Sequence, residues 1–431
     1  MNNIHTYIQA IYERSGLIRA DEVAKTAASP RRIIHHPLRF VWWIGICIVL
    51  SVVTGIVQPD RAQAQTAQLQ VRGVTNYVHG LNLGWFSSTN DSGYGHDIGY
   101  DQWYNQCTYS SVTASNWIAD IKRMHCNVAR VWLFENFESL LFNVNNNGQV
   151  TGVDGIFLTN LDDLVKQADD QHVALYLTFF ENGMAQFFDS TAGTNRAPLN
   201  HGYAVNFITN AVAMTNVVYN AMDLIVNRYK AGAVHEHTNA IFGIDLSNEG
   251  NAMLLTYTGS DGYVYKPTCD TTNHLRAWAQ FAAASIHANW PGLQVTMSSW
   301  NTNYLSSSNN FYATIGGLGF DFYDFHIYAT NYPVPAVPAF VGKPLLLGEY
   351  GPTLGATYYW TNTVAWKTNV AGFLGKAASQ GWAGTLGWMY YEGDTGDNNQ
   401  EGMVWLSGDA GNWKDPAYEI LYYATNYLHW P

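Results

Sequence analysis

The chain has 431 residues, 47% of them hydrophobic and 13% charged, with a formal charge of −12, which fits a globular protein with a sizeable core. Residues 1–64 hold seven of the 21 basic and four of the 33 acidic residues, leaving 14 against 29 and a formal −15 on the rest. That acidity argues against a nucleic acid partner, and no Cys-x-x-Cys, His-Glu-x-x-His or calcium-loop pattern points to a metal or other cofactor.

Residues 1–64 read as an export leader: a flank with Arg31, Arg32 and Arg39, then an uncharged, mostly apolar stretch over 40–57, then Ala62-Gln63-Ala64. The small-x-small form predicts a signal-peptidase site, and the length of the apolar stretch leaves an uncleaved membrane anchor open. Either outcome places the rest of the chain outside the cytoplasm, secreted or anchored. Residues 65–75 read as a linker and 76–431 as one folded domain. In an oxidising compartment Cys107, Cys126 and Cys269 permit one disulfide, most simply Cys107–Cys126.

Beyond the linker, apolar runs alternate with helical patterns. Strands are predicted over 77–86, 127–134, 172–180, 241–246, 293–300, 321–328, 344–350 and 384–391. Helices are predicted near 115–124, 158–171, 204–229, 273–288 and 416–428. Eight strands with intervening helices count out as a (β/α)8 TIM barrel, and such a barrel carries its site at the carboxyl ends of its strands. The Asn-rich stretch 143–147 reads as a turn, and the longer segments 181–202, 250–272 and 392–413 follow strand ends, where cleft walls are built.

Two strand ends carry the chemistry. Ile241-Phe-Gly-Ile-Asp-Leu-Ser-Asn248-Glu249 and Pro344-Leu-Leu-Leu-Gly348-Glu349-Tyr350-Gly351 each deliver a glutamate at the end of a buried apolar run. Two carboxyl groups facing one cleft, one protonated and one ionised, are the minimum for cleaving a glycosidic bond, and their mutual repulsion helps keep the acid protonated. The 16 Trp and 28 Tyr suit a groove in which sugar C–H faces stack on rings.

On these residues the chain resembles glycoside hydrolases of clan A, most closely family 5 cellulase-like enzymes, from about Asn76 to the C-terminus. The resemblance implies Glu249 as acid/base, Glu349 as nucleophile, and double displacement with retention of configuration. It implies Arg130 beneath the nucleophile, Asn248 on the sugar 2-hydroxyl, and His326 and Tyr328 as the His-x-Tyr element. It also implies Trp388 as the floor under the reacting sugar and Asn82 as structural. Trp300, Asn301 and Tyr304 could line a subsite, while Glu135, Glu181, Glu392 and Asp394 read as substrate contacts or solvated loop charges.

The chain departs from that pattern at Glu181, where a histidine is general, and at Gly250, where proline is common. The expected substrate is a β-linked glucan or mannan. A non-catalytic carbohydrate-binding barrel at the cell surface and a transglycosylase using the same glutamates remain alternatives.

Overall fold

The computed structural model describes residues 69–84, 98–101, 106–107, 109–134, 137, 139–143, 149–181, 208, 210–251, 257–258, 264–265, 272–300, 302–305, 318–338, 341–352, 362–391, 402–404 and 413–429. The leader expected over 1–64 therefore lies outside the described residues, as do Trp85, Glu135, Cys269, Asn301, Glu392, Asp394 and most of the three long strand-end segments. Among the described residues no helix is long and apolar enough to cross a membrane.

Eight parallel strands form the centre: β1 (Val78–Asn82), β2 (Val128–Phe134), β3 (Ala174–Phe180), β4 (Ile241–Asp245), β5 (Gln294–Thr296), β6 (Tyr323–Tyr328), β7 (Leu345–Gly351) and β8 (Gly384–Gly387). They pair in chain order from β1 to β5, while β8 pairs with β1 on one side and β7 on the other, and β7 pairs with β6. The ring closes between β5 and β6, where the Ser299 amide donates to the Asp324 carbonyl at 3.0 Å and the His326 amide to the Ser299 carbonyl at 2.9 Å. The (β/α)8 barrel expected from the alternation is the fold found.

Helices wrap the strands: α1 (Ser111–Arg123), α2 (Gly155–Asp170), α3 (Ala211–Val217), α4 (Asp223–Tyr229), α5 (Thr272–Asn289), α6 (Thr363–Ser379) and α7 (Asp415–Asn426). Sequence sets their starts, because Ser110, Asp154, Asn210 and Asn362 each accept a first-turn backbone N–H. Of the helix expected over 204–229, the described part from Ala211 onward is helical, with a π-helical turn, Val218–Met222, joining α3 to α4. The described strands on either side of the expected Asn-rich turn, Leu140–Asn143 and Gln149–Val153, pair as a hairpin.

Two layers of side chains make the core. Outside the ring, buried apolar residues of helices and strands form one large cluster. Inside it, Val78, Val128, Tyr176, Phe242, Phe322 and Leu346 fill the amino-terminal half and meet Leu69 and Val71. Those two belong to a short antiparallel hairpin, Leu69–Val71 with Val74–Asn76, and Gln70 exchanges backbone hydrogen bonds with the Gln294 side chain. The stretch expected as linker over 65–75 is therefore, from Leu69 onward, a plug in the barrel floor. Its apolar residues join the strand interiors in one cluster.

The disulfide expectation also changes. Cys126 is a buried free thiol at the amino end of β2, so no Cys107–Cys126 bond forms. Burial pushes that thiol well above its ordinary range.

Candidate active site

Arg130 organises the upper half of the barrel interior. On β2 it shares the inward face with Val128 and Trp132, since side chains two apart point the same way. It is fully buried, and a buried guanidinium must place all its N–H groups. Nε donates to Thr178 Oγ1 at 3.0 Å. Nη1 donates to Glu349 Oε1 at 2.6 Å and Asn82 Oδ1 at 3.2 Å. Nη2 donates to Asp245 Oδ2 and Asn248 Oδ1, both at 2.7 Å. Its flat face lies 4.3 Å from the Trp132 ring centroid. Expected as a support for Glu349, Arg130 is at the same time the barrel's buried ion-pair partner through Asp245.

Glu349 reaches this group by a local irregularity in β7. Leu347 pairs with Phe325 and Glu349 with His326, so Gly348 is an extra residue in the strand. Such a bulge re-aims the side chains after it. Only glycine fits there: a Cβ on Gly348 would lie 2.0 Å from Asp324 Oδ1. Both Glu349 oxygens are engaged, Oε1 by Arg130 and Oε2 by the Tyr328 hydroxyl at 2.6 Å. Burial pushes this carboxyl up, and Arg130 and Tyr328 hold it back.

Glu249 sits just past β4 with φ of 46°, in the left-handed region that few side chains adopt. Ser298 fixes it there: Oγ accepts from the Glu249 amide at 2.9 Å, and the Ser298 carbonyl accepts from the Gly250 amide at 3.0 Å. That second bond needs an N–H that proline lacks, and a Cβ at Gly250 would meet Met297 Sδ at 2.5 Å. The glycine is thus the local solution here to holding the glutamate. Glu249 Oε1 lies 3.0 Å from His326 Nδ1. Burial pushes the Glu249 carboxyl well above the usual range, helped by the charges of Glu349 and Glu181. Burial and Arg130 hold His326 well below its ordinary pKa, which favours the neutral imidazole.

One oxygen of Glu249, one of Glu349 and a His326 nitrogen all lie within 4.8 Å of one another. These are also three potential metal ligands, but both Glu349 oxygens are already taken and the neighbouring guanidinium repels a cation. Oxygens of the two carboxyl groups within 4.8 Å fit the roughly 5–5.5 Å separation of retaining enzymes better than the roughly 6.5–9.5 Å of inverting ones. Glu349 is anchored by Arg130 and Tyr328 while Glu249 faces burial and like charge without such an anchor, an arrangement that favours the proton on Glu249.

Of the residues singled out in the sequence, Arg130, Asn248, Glu249, His326, Tyr328 and Glu349 form this one hydrogen-bonded group. Trp388 stands beside it, edge-on to Trp132 at 5.8 Å and to Tyr328 at 6.4 Å between ring centroids, and its peptide to Met389 is cis. Asn82 is structural as expected, donating to the carbonyls of Gly348 and Gly387. Trp300 is half-buried at the rim beyond β5, and Tyr304 falls on the short 3-10 turn Thr302–Leu305.

Sequence reasoning missed Asp245, Thr178, Ser298, Asp324 and Trp132. A period-two reading of Tyr323–Tyr328 finds Asp324 on the same face as His326 and Tyr328. Asp324 accepts from the Tyr176 hydroxyl at 2.8 Å, and burial pushes its carboxyl well up.

The fold and site together define a (β/α)8 barrel with a close carboxyl pair at the carboxyl ends of β4 and β7. No protein-family model matches the chain. A mannan endo-1,4-beta-mannosidase of Mytilus edulis is 22% identical over 376 residues, covering 79% of this chain and 90% of its own. The solved structure of a beta-mannanase from the blue mussel Mytilus edulis superposes with a TM-score of 0.56 at 17% identity, over 84% of this chain and 97% of that one. A beta-1,4-mannanase from the common sea hare Aplysia kurodai gives 0.53 at 20% identity, over 82% and 98%. These likenesses carry the fold, which agrees with the clan resemblance drawn from the motifs.

Proposed function

We propose that the chain is a retaining glycoside hydrolase that cleaves β-linked mannan by double displacement. The observation that carries the reading is the carboxyl pair within 4.8 Å, one member fixed by Arg130 and Tyr328 and the other pushed toward protonation. Glu349 attacks the anomeric carbon while Glu249 protonates the leaving oxygen. Glu249 then takes a proton from the water that hydrolyses the covalent intermediate. Asn248 faces the sugar 2-hydroxyl, Trp388 underlies the reacting ring, and Trp300 lines an outer subsite. Mannan is preferred over glucan because the relatives compared are mannanases by name. A polymeric substrate and the apolar stretch before Ala62-Gln63-Ala64 both support action outside the cytoplasm.

The test is hydrolysis of β-mannan, β-glucan and xylan, following the anomeric configuration of the first product by NMR. Retained β-product from mannan is expected. Glu349→Ala should abolish turnover, and Glu249→Ala should lower it about 10²–10⁴-fold, the usual contribution of a general acid. Polymer binding without turnover would replace the hydrolase with a binding module. Longer products formed when oligosaccharide is added would make the acceptor a sugar.

A further inference from the structure

Glu181 has no part in the chemistry just described, and the sequence placed it among substrate contacts or solvated loop charges. The structure ties it to Asn248. Its backbone pairs in parallel with Asn248, extending the β3–β4 ladder past both strands, and the Asn248 amide donates to the Phe180 carbonyl at 2.7 Å. Glu181 is half-buried. Oε2 accepts from Asn248 Nδ2 at 2.6 Å and from Trp132 Nε1 at 3.3 Å.

We propose, on the hydrolase reading above, that Glu181 is a positioning residue: it locks the Asn248 carboxamide in one orientation and sets a third carboxylate beside Glu249. A carboxamide can be turned end for end with little change in shape. Here each end meets a group that permits only one choice. Arg130 Nη2, 2.7 Å from one end, has protons to give and nothing to accept with, so that end is Oδ1. The Glu181 carboxylate at the other end takes an N–H, so that end is Nδ2. The second Nδ2 proton is then committed in direction, which a contact that strengthens in the transition state requires.

The charge has its own consequence. Glu249 is faced by Glu349 from β7, His326 from β6, Asp245 from β4, Arg130 from β2 and Glu181 from the end of β3. Arg130 favours its ionisation, while Glu349, Glu181 and Asp245 oppose it. Glu181 thus helps Glu249 keep the proton it must deliver.

Two variants separate these roles. Glu181→Gln keeps an oxygen for Asn248 and Trp132 but removes the charge; Glu181→Ala removes both. On β-1,4-manno-oligosaccharide, Glu181→Gln should keep its plateau kcat within about threefold and move the basic limb of kcat/KM down by about half a pH unit. Glu181→Ala should lose about tenfold or more in kcat, and less in KM. Melting temperatures within a few degrees of wild type separate these losses from unfolding. A ¹³C NMR titration of the Glu249 side-chain carboxyl, assigned by difference from Glu249→Gln, reads the same shift without turnover, so an inactive wild type would overturn the hydrolase reading alone. A Glu249 midpoint unmoved in Glu181→Gln overturns the charge role, and a kcat for Glu181→Ala within twofold of wild type overturns the locking of Asn248.

Discussion

Glu249 and Gly348 show how much of the site is held by single backbone positions. A non-glycine residue in the left-handed region costs on the order of 1–3 kcal/mol, and at φ of 46° Glu249 is kept there by Ser298 and the Gly250 amide. Gly250→Pro removes that amide and sets a Cβ against Met297, and should lower kcat sharply together with the melting temperature. Gly348→Ala forces a methyl against Asp324 and should cost about 1–3 kcal/mol or more of stability together with activity, read by thermal unfolding and turnover. The pH profile follows from the same groups. On the proposed double displacement, activity needs Glu349 ionised and Glu249 protonated, so kcat/KM falls below the first pKa and above the second. Both are pushed up, Glu249 the further. The rising limb should therefore lie above the ordinary glutamate value of about 4.3, and a rising limb below it would show that burial does not dominate at Glu349. Glu249 and Glu349 were legible because each ends an apolar run. Asp245 lies inside such a run, where its burial against Arg130 leaves no local mark, and the tie of Glu181 to Asn248 was not legible because only pairing between strand ends reveals it.

At the scale of elements, the eight strands were legible because each is an apolar run bounded by turns, while the floor hairpin was not. Its strands, Leu69–Val71 and Val74–Asn76, are too short to show alternation and follow a Gln- and Ala-rich approach. Leu69 and Val71 acquire meaning only against Tyr176 and Phe242, residues a hundred or more positions away. Helix α6 escaped for a different reason. Its buried Trp366, Val370, Phe373, Leu374 and Ala377 keep helical spacing, but Gly372 and Gly375 interrupt it with weak helix formers. Leu69→Ala should destabilise the domain by about 2–5 kcal/mol, and a chain beginning at Tyr77 should unfold at lower denaturant than one beginning at Gln65. Equal midpoints would mean that the floor closes without its plug.

For the molecule as a whole, burial of ionisable groups makes stability depend on pH in a way that can be traced to His79. This side chain on β1 hydrogen-bonds the Ile420 carbonyl of α7 at 3.0 Å, joining the first strand to the last helix. Burial lowers its pKa from 6.5 to about 4. The unfolded chain therefore binds the extra proton between those values, and stability falls as pH drops through that window, by up to about 3 kcal/mol. His79→Gln loses packing at neutral pH but escapes this penalty. Its deficit in melting temperature should shrink from pH 7 to pH 4.5; a constant deficit would show that His79 titrates normally.

The reach of Arg130 has a consequence for lineage. From β2 it bonds residues on β1, β3, β4 and β7 and the segment after β5, so it is a cross-strut of the barrel as well as an anchor of Glu349. Losing one partner of a buried ion pair is strongly destabilising, whereas replacing Glu249 relieves a crowded acid. Descendants of this chain that drift out of activity are therefore expected to discard the acid and keep the arginine. Within that lineage the arginine marks a barrel that folds, and on the proposed mechanism the glutamate after Asn248 marks one that still works.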